Sequence, residues 1–66
     1  MIGENLRKYR QELNLSPTGL SILLNISRQS IYNWENGTCE PSEENIKALC
    51  DIFNISVEQL TGKNEQ

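Results

Sequence analysis

Four polar side chains that can hydrogen-bond the edges of nucleic-acid bases stand close together near the middle of this chain. They are Arg28, Gln29, Ser30 and Asn33. Arginine pairs with two acceptors on guanine, glutamine and asparagine pair with adenine through one donor and one acceptor, and serine bonds to several bases. On a helix, Gln29 and Asn33 would share a side because they are four residues apart. The pattern is typical of a base-reading surface, and also of the solvated side of any small helical protein.

The segment around these residues has the pattern of two short helices joined by a tight turn. We predict helices over 17–24 and 28–36, with Asn25-Ile26-Ser27 between them. Asn tolerates the left-handed conformation that ends a helix, and Ser caps the next helix by accepting from its free N–H groups. Such a two-helix unit, with a polar exposed side on its second helix, is the sequence form of a DNA-reading helix-turn-helix.

The Asn–apolar–Ser junction occurs three times, at 14–16, 25–27 and 54–56, and it divides the whole chain into helices. Further helices are predicted over about 2–13, 43–53 and 57–61, because apolar residues recur there at helical spacing. No strand pattern competes, so we predict an all-α, compact five-helix domain over 1–62 and a flexible tail over 63–66. The side chains predicted to point inward are Ile2, Leu6, Tyr9, Leu13, Leu20, Leu23, Leu24, Ile31, Trp34, Ile46, Leu49, Cys50, Phe53, Val57 and Leu60.

Composition argues against an enzyme or a metalloprotein. The chain has 66 residues, no histidine and two cysteines, Cys39 and Cys50, without metal-like spacing. There is no glycine-rich phosphate loop and no nucleophile–base arrangement, so we expect no catalysis, no cofactor and no metal. The polar start and the lack of a long apolar run predict a cytoplasmic protein with no membrane association.

The formal net charge of −3 is unevenly distributed along the chain. Residues 1–34 carry four basic and two acidic side chains, whereas residues 35–66 carry two basic and seven acidic ones. A chain divided in this way can present a mildly basic side and a distal acidic side. The basic side has few basic side chains, so the affinity gained by neutralising phosphates should be modest.

One set of motifs, in a fixed register, extends over roughly residues 2–62. Its most specific part is Trp34-Glu35-Asn36-Gly37, followed four residues later by Pro41-Ser42. The other motifs are Ile2-Gly3 with Leu6 and Arg10, Leu15-Ser16 with Leu20, Ile26-Ser27, Ile31, and Ile55-Ser56 with Leu60. With these residues the chain resembles the lambda repressor and Cro class of helix-turn-helix DNA-binding domains, also called the XRE type.

The resemblance implies a function and a role for individual residues. It implies sequence-specific binding of double-stranded DNA by a small transcriptional regulator, expected to be a repressor, that forms a homodimer in solution or only on DNA. It also implies a structural ion pair between Arg10 and Glu35. Base reading would fall to Arg28, Gln29, Ser30 and Asn33, and contacts with the DNA backbone to Ser16, Thr18, Gly19, Tyr32, Asn36 and Thr38.

Three departures from the family pattern affect the expected contacts with DNA phosphates. Pro17 stands where the family often has a glutamine, Gly19 lies within the same helix, and Glu40 occupies a loop that is often basic. These departures and the acidic second half motivate an alternative. In it, the chain is an antitoxin or a protein-interaction module of the same fold, with a protein partner and with weak or secondary DNA binding.

Overall fold

A computed structural model describes residues 2–62 as five α-helices. They are α1 (Ile2–Glu12), α2 (Pro17–Leu24), α3 (Arg28–Asn36), α4 (Glu43–Phe53) and α5 (Val57–Thr61). This part of the chain contains no strand, which confirms the predicted all-α architecture of five helices. Helices α2 to α5 have the predicted bounds, and α1 ends one residue earlier than predicted. The predicted tail, 63–66, lies outside the described residues.

The three Asn–apolar–Ser junctions end one helix and start the next. The asparagines Asn14, Asn25 and Asn54 have φ angles of 58°, 60° and 59°, which lie in the left-handed region. Two residues later, each serine hydroxyl accepts a hydrogen bond from a backbone N–H in the first turn of the following helix. These caps satisfy donors that a helix N-terminus otherwise leaves unpaired. The junctions are therefore specified locally, by residues adjacent in sequence.

All five helices contribute to one apolar core. Its buried members are Leu6, Leu20, Ile31, Trp34, Leu49, Cys50, Phe53 and Leu60. The first turn of α1 lies very close to the last turn of α3. A Cβ atom on Gly3 would be 2.7 Å from the carbonyl oxygen of Trp34 and 2.8 Å from that of Glu35. Glycine at this position allows α1 to approach the backbone of α3 directly.

Three side chains predicted to point inward are exposed instead, so those predictions were wrong. Leu13 is 48% exposed, Leu23 57% and Val57 43%. Leu13 follows the end of α1, where the chain already turns toward Asn14. Leu23 lies on the outer side of α2, and Ser21 is buried in its place.

Ser21 can occupy a buried position because its hydroxyl donates to the backbone carbonyl of Thr18, with an O–O distance of 2.7 Å. A buried hydroxyl with such a partner avoids most of its desolvation penalty.

Val57 is the first residue of the five-residue helix α5, and Leu60 is the buried residue of that helix. None of the five helices is both long enough and apolar enough to cross a lipid bilayer.

Candidate nucleic-acid interface

Helix α3 has one side in the core and one side in solvent. Ile31 and Trp34 are buried, whereas Arg28 and Gln29 are exposed and Asn33 is partly exposed. Ser27 begins the helix by accepting from the N–H of Ser30. The predicted base-reading residues therefore lie in the first turns of α3, outside the core.

Two of these side chains are hydrogen-bonded to each other. The Gln29 Nε2 atom donates to Asn33 Oδ1 over 3.1 Å, and both groups are accessible to solvent. Ser30 is partly buried, and its hydroxyl lies 3.2 Å from the hydroxyl of the cap residue Ser27. Arg28 extends from the first position of the helix. The exposed part of the first two turns of α3 thus includes a hydrogen-bonded amide pair and a guanidinium group.

The start of α2 offers fewer backbone donors than a helix N-terminus usually does. The Gly19 N–H donates to the Ser16 hydroxyl oxygen over 2.9 Å. Pro17 has no N–H. Among residues 17–19, the first three of the helix, Thr18 is therefore the one whose backbone N–H is not used within α2. The Ser16 hydroxyl accepts from Gly19 and keeps its own hydrogen for another acceptor.

The remaining predicted backbone-contact residues surround the C-terminal end of α3. Tyr32, Asn36 and Thr38 are all exposed. Gly37 has a φ of 83°, which reverses the chain after the helix. The Thr38 N–H then donates to the carbonyl of Asn33 over 2.9 Å. This turn holds Thr38 beside the last turn of α3.

An ion-pair network connects the end of α3 to α1. Arg10 Nε lies 2.7 Å from Glu35 Oε2, and a terminal nitrogen of the same guanidinium lies 3.2 Å from Glu35 Oε1. The other terminal nitrogen donates to the Leu15 carbonyl over 2.8 Å. Arg10 is 9% exposed as a residue, and the Glu35 side chain is 5% exposed. One buried arginine thus links α1, the end of α3 and the segment that leads into α2.

A second arginine reaches the same carboxylate. Arg7 Nε lies 3.4 Å from Glu35 Oε1, and its side chain is half exposed. Sequence reasoning did not identify Arg7 as a partner. The available signal was its position three residues before Arg10, which puts both arginines on neighbouring parts of the α1 surface.

The ion pairs leave few cations for phosphate. With Arg7 and Arg10 facing Glu35, the other basic residues described in the first half of the chain are Lys8 and Arg28. The Lys8 ammonium lies 5.6 Å from the centroid of the Tyr9 ring. The basic surface is therefore smaller than a count of charges along the sequence indicates.

Metal-ligating groups do not converge within residues 2–62. No set of three or more histidine, cysteine, aspartate or glutamate side chains there could hold a metal ion. Cys39 is exposed in the loop between α3 and α4, and Cys50 is buried. Burial raises the pKa of the Cys50 thiol, and the negative charges of Asp51 and Glu58 raise it further. Cys50 is therefore a protonated core thiol at neutral pH.

Comparison with known proteins gives one family match and several curated relatives. The family model described as "Helix-turn-helix" matches residues 6–60. The chain is 34% identical to antitoxin PezA of Streptococcus pneumoniae, over 98% of the chain and 41% of that protein. It is 36% identical to the HTH-type transcriptional regulator DicA of Escherichia coli, over 83% of the chain and 41% of that protein.

A third relative comes from a bacteriophage. The chain is 30% identical to repressor protein C2 of Salmonella phage P22, over 91% of the chain and 28% of that protein. It spans less than half the length of each of these three relatives. No solved structure matches the chain.

Proposed function

Because this chain belongs to the helix-turn-helix family, we propose that it binds double-stranded DNA in a sequence-specific manner as a small transcriptional regulator. The observation that carries the proposal is the exposed side of α3, where a guanidinium and two amides project from a helix whose other side is buried. Relatives named as a transcriptional regulator and a phage repressor support this function and favour repression. Such a regulator acts where DNA is, in the cytoplasm.

In this proposal the first turns of α3 enter the major groove. Arg28, Gln29, Ser30 and Asn33 contact base edges, because side chains near the start of a recognition helix are the ones that reach them. Replacing Gln29 with Ala should weaken binding to the selected DNA site by about 1–3 kcal/mol. The thermal midpoint should hardly change, since the side chain is exposed. Gln11→Ala, at an exposed position of α1, is the matched control, and equal affinities of the two variants would refute the base-reading role.

The DNA backbone is contacted around α2 and the end of α3. The proposed contacts are the Ser16 hydroxyl, the Thr18 N–H, the close approach allowed by Gly19, and the exposed side chains of Tyr32, Asn36 and Thr38. All of these groups are neutral, so contacts through them release few counterions on binding. Lys8 and Arg28 are the two cations in the first half of each protomer that do not face Glu35, and Arg28 is assigned to a base edge. The slope of log K against log salt should therefore be no steeper than about −4 for a dimer. A slope near −8 would mean that other cations take part.

We infer that two copies bind adjacent half-sites, because one recognition helix covers few base pairs. A surface suited to self-association lies on α4 and α5. There the exposed Val57 lies beside Ile46, Lys47 and Glu43, which line one shallow depression with Thr61. An apolar centre flanked by one acid and one base can pair with its own copy across a two-fold axis. Val57→Glu should abolish cooperative binding to a two-half-site DNA and leave binding to a single half-site unchanged.

The experiment that tests DNA reading most directly is selection from a random pool of duplex DNA. The expected result is enrichment of an inverted repeat with half-site centres about one helical turn apart. Failure to enrich any sequence, together with undetectable binding to unrelated duplexes at low salt, would refute the proposed function.

A second candidate function is binding to a protein partner. Two observations favour it: the relative named as an antitoxin and the exposed apolar side chains of α2, where Ile22 is 72% exposed and Leu23 57%. Titration with unrelated duplex DNA at low and moderate salt separates the candidates. Binding at low salt that weakens with salt supports DNA, and no binding at low salt supports the protein partner.

A further inference from the structure

The dipeptide Asn36-Gly37, at the end of α3, carries a chemical reactivity that DNA binding does not use. The chain contains eight asparagines, and Asn36 is the one that a glycine follows. The residues after the other seven are leucine, isoleucine, tryptophan or glutamate. A following residue without a Cβ atom leaves its backbone nitrogen unshielded and free to rotate toward the asparagine side chain. Asn36 is therefore the asparagine whose side-chain amide is most open to attack by the main chain.

The reaction is an intramolecular deamidation. The Gly37 nitrogen bonds to the side-chain carbonyl carbon of Asn36, and the amide nitrogen of Asn36 leaves as ammonia, taking up the Gly37 amide hydrogen. Water then opens the resulting succinimide ring at one of its two carbonyl carbons. Cutting the bond to the side-chain carbon gives aspartate, and cutting the bond to the main-chain carbon gives isoaspartate. In both products a neutral amide has become a carboxylate, with water as the co-reactant.

The surroundings of this dipeptide are open, but the helix end restrains it. Asn36 is the last residue of α3, and both Asn36 and Gly37 are exposed. A Cβ atom on Gly37 would meet no atom within 4 Å outside the adjacent residues. The Gly37 N–H donates to the Trp34 carbonyl over 3.3 Å, and the Thr38 N–H donates to the Asn33 carbonyl over 2.9 Å. While these bonds hold, the Gly37 nitrogen keeps its hydrogen and its helix-end orientation, so attack requires the last turn to open. A helix end in solvent opens at a smaller free-energy cost than the whole domain.

We propose that Asn36-Gly37 is a site of spontaneous deamidation, gated by local opening of the last turn of α3, and that the deamidated protein binds DNA weakly. The deamidation itself does not depend on what the protein binds. Its effect on affinity rests on the proposed DNA-binding function, in which the neutral Asn36 side chain contacts the DNA backbone.

The new carboxylate opposes both DNA binding and the helix end. A negative charge beside DNA phosphates should weaken binding by about tenfold or more at low salt, and by less at high salt. At the C-terminal end of α3 the helix dipole disfavours an anion, which should shift the folding equilibrium by about 2- to 5-fold toward the unfolded state. Isoaspartate also lengthens the main chain by one carbon atom just before Gly37 and so displaces the turn that ends the helix. Because neither product returns to asparagine on its own, the DNA affinity of a population of molecules falls with its age.

The first experiment incubates the whole chain at neutral pH and maps the modified residues by mass spectrometry of its peptides. In the chain unfolded by guanidinium chloride, Asn36 should react before any other asparagine. In the native protein its rate should be lower by about tenfold or more, and low denaturant concentrations should hardly change it, since a local opening exposes little surface. Asn33, which precedes Trp34 in the same helix, is the internal control, and Asn36→Gln should stay unmodified because its longer side chain closes the ring poorly.

Three results of this experiment would contradict the proposal. Reaction at Asn33 as fast as at Asn36 would overturn the assignment of the site. Equal rates in the native and the unfolded chain would overturn the gating. A native rate that rises steeply with low denaturant, as the population of globally unfolded chain does, would overturn the local opening.

The second experiment measures affinity for the duplex site enriched by the fresh wild-type protein. Asn36→Asp, and wild-type protein aged until most molecules are converted, should both bind about tenfold or more weakly than fresh protein at low salt. Aged Asn36→Gln should keep the affinity of its fresh form. Equal affinities of fresh and aged wild-type protein would overturn the effect on affinity and leave the proposed DNA binding intact. If no site is enriched and low-salt binding is absent, the proposed function fails and the effect on affinity fails with it, whereas the mass-spectrometric map still decides the deamidation.

Discussion

Replacing Arg10 with Met should strongly destabilise the domain. Arg10 donates two hydrogen bonds to the carboxylate of Glu35 and a third to the carbonyl of Leu15. Its removal leaves Glu35, with a side chain only 5% exposed, facing Arg7 alone at 3.4 Å. Removing one partner of a buried ion pair costs about 3–5 kcal/mol, because the other charge stays buried without compensation.

That loss is large for so small a protein. At about 0.05–0.15 kcal/mol per residue, a domain of 66 residues has a free energy of unfolding of about 3–10 kcal/mol. The Arg10→Met variant should therefore retain about two thirds of its stability at best, and it should be unfolded at the low end of the range. Urea unfolding followed by the fluorescence of Trp34, the one tryptophan in the sequence, measures the difference directly.

Two further variants separate the buried pair from simple charge removal. Arg7→Met removes a cation from the same carboxylate, but Arg7 is half exposed, so the loss should be below about 1 kcal/mol. The double variant Arg10→Met with Glu35→Leu removes both charges and should regain part of the loss. A deficit of about 1–3 kcal/mol should remain, because the Leu15 carbonyl has lost its donor. Equal losses in Arg7→Met and Arg10→Met would refute the reasoning.

Three other predictions concern packing, thiol reactivity and a helix end. Gly3→Ala should cost about 1–3 kcal/mol in urea unfolding, because its methyl group would overlap the backbone carbonyl of Trp34; an unchanged midpoint would show that α1 moves freely. Iodoacetamide should modify Cys39 in the folded protein and Cys50 only in denaturant, as mass spectrometry would reveal, and two adducts on the native protein would contradict the burial of Cys50. Asn54→Ala should lower the free energy of unfolding by about 1–2 kcal/mol, since alanine is disfavoured at a φ of 59°, whereas Asn54→Gly should change it little.

Much of the fold could be predicted because short sequence motifs specify the helix ends. An asparagine that tolerates positive φ and a serine that caps the next helix identify a boundary without knowledge of the tertiary structure, and four helices have the predicted bounds. The side of a helix that faces the core was harder to predict for α2. This helix has leucine or isoleucine at four of its eight positions, so apolar periodicity selects no side. The packing of α2 against α3 and α4 decides it, and it leaves Leu23 outside.

The position of the candidate site could also be predicted, but not its internal contacts. Spacing along α3 identified Gln29 and Asn33 as neighbours on the exposed side. Their hydrogen bond depends on side-chain rotamers, which the sequence does not specify. The second arginine at Glu35 escaped prediction for a related reason. Arg7 is an exposed residue of α1, and it becomes a partner only because α1 crosses the end of α3 at this point.

The junctions that delimit α3 have a practical consequence for engineering. The helix is started by Ser27, ended by Gly37 and held in the core by Ile31 and Trp34. None of these residues projects from the exposed side of the helix. The side chains at positions 28, 29 and 33 can therefore be randomised together in a combinatorial library while the scaffold stays constant. Members of such a library without proline or glycine at these positions would carry a new reading surface at nearly the same stability.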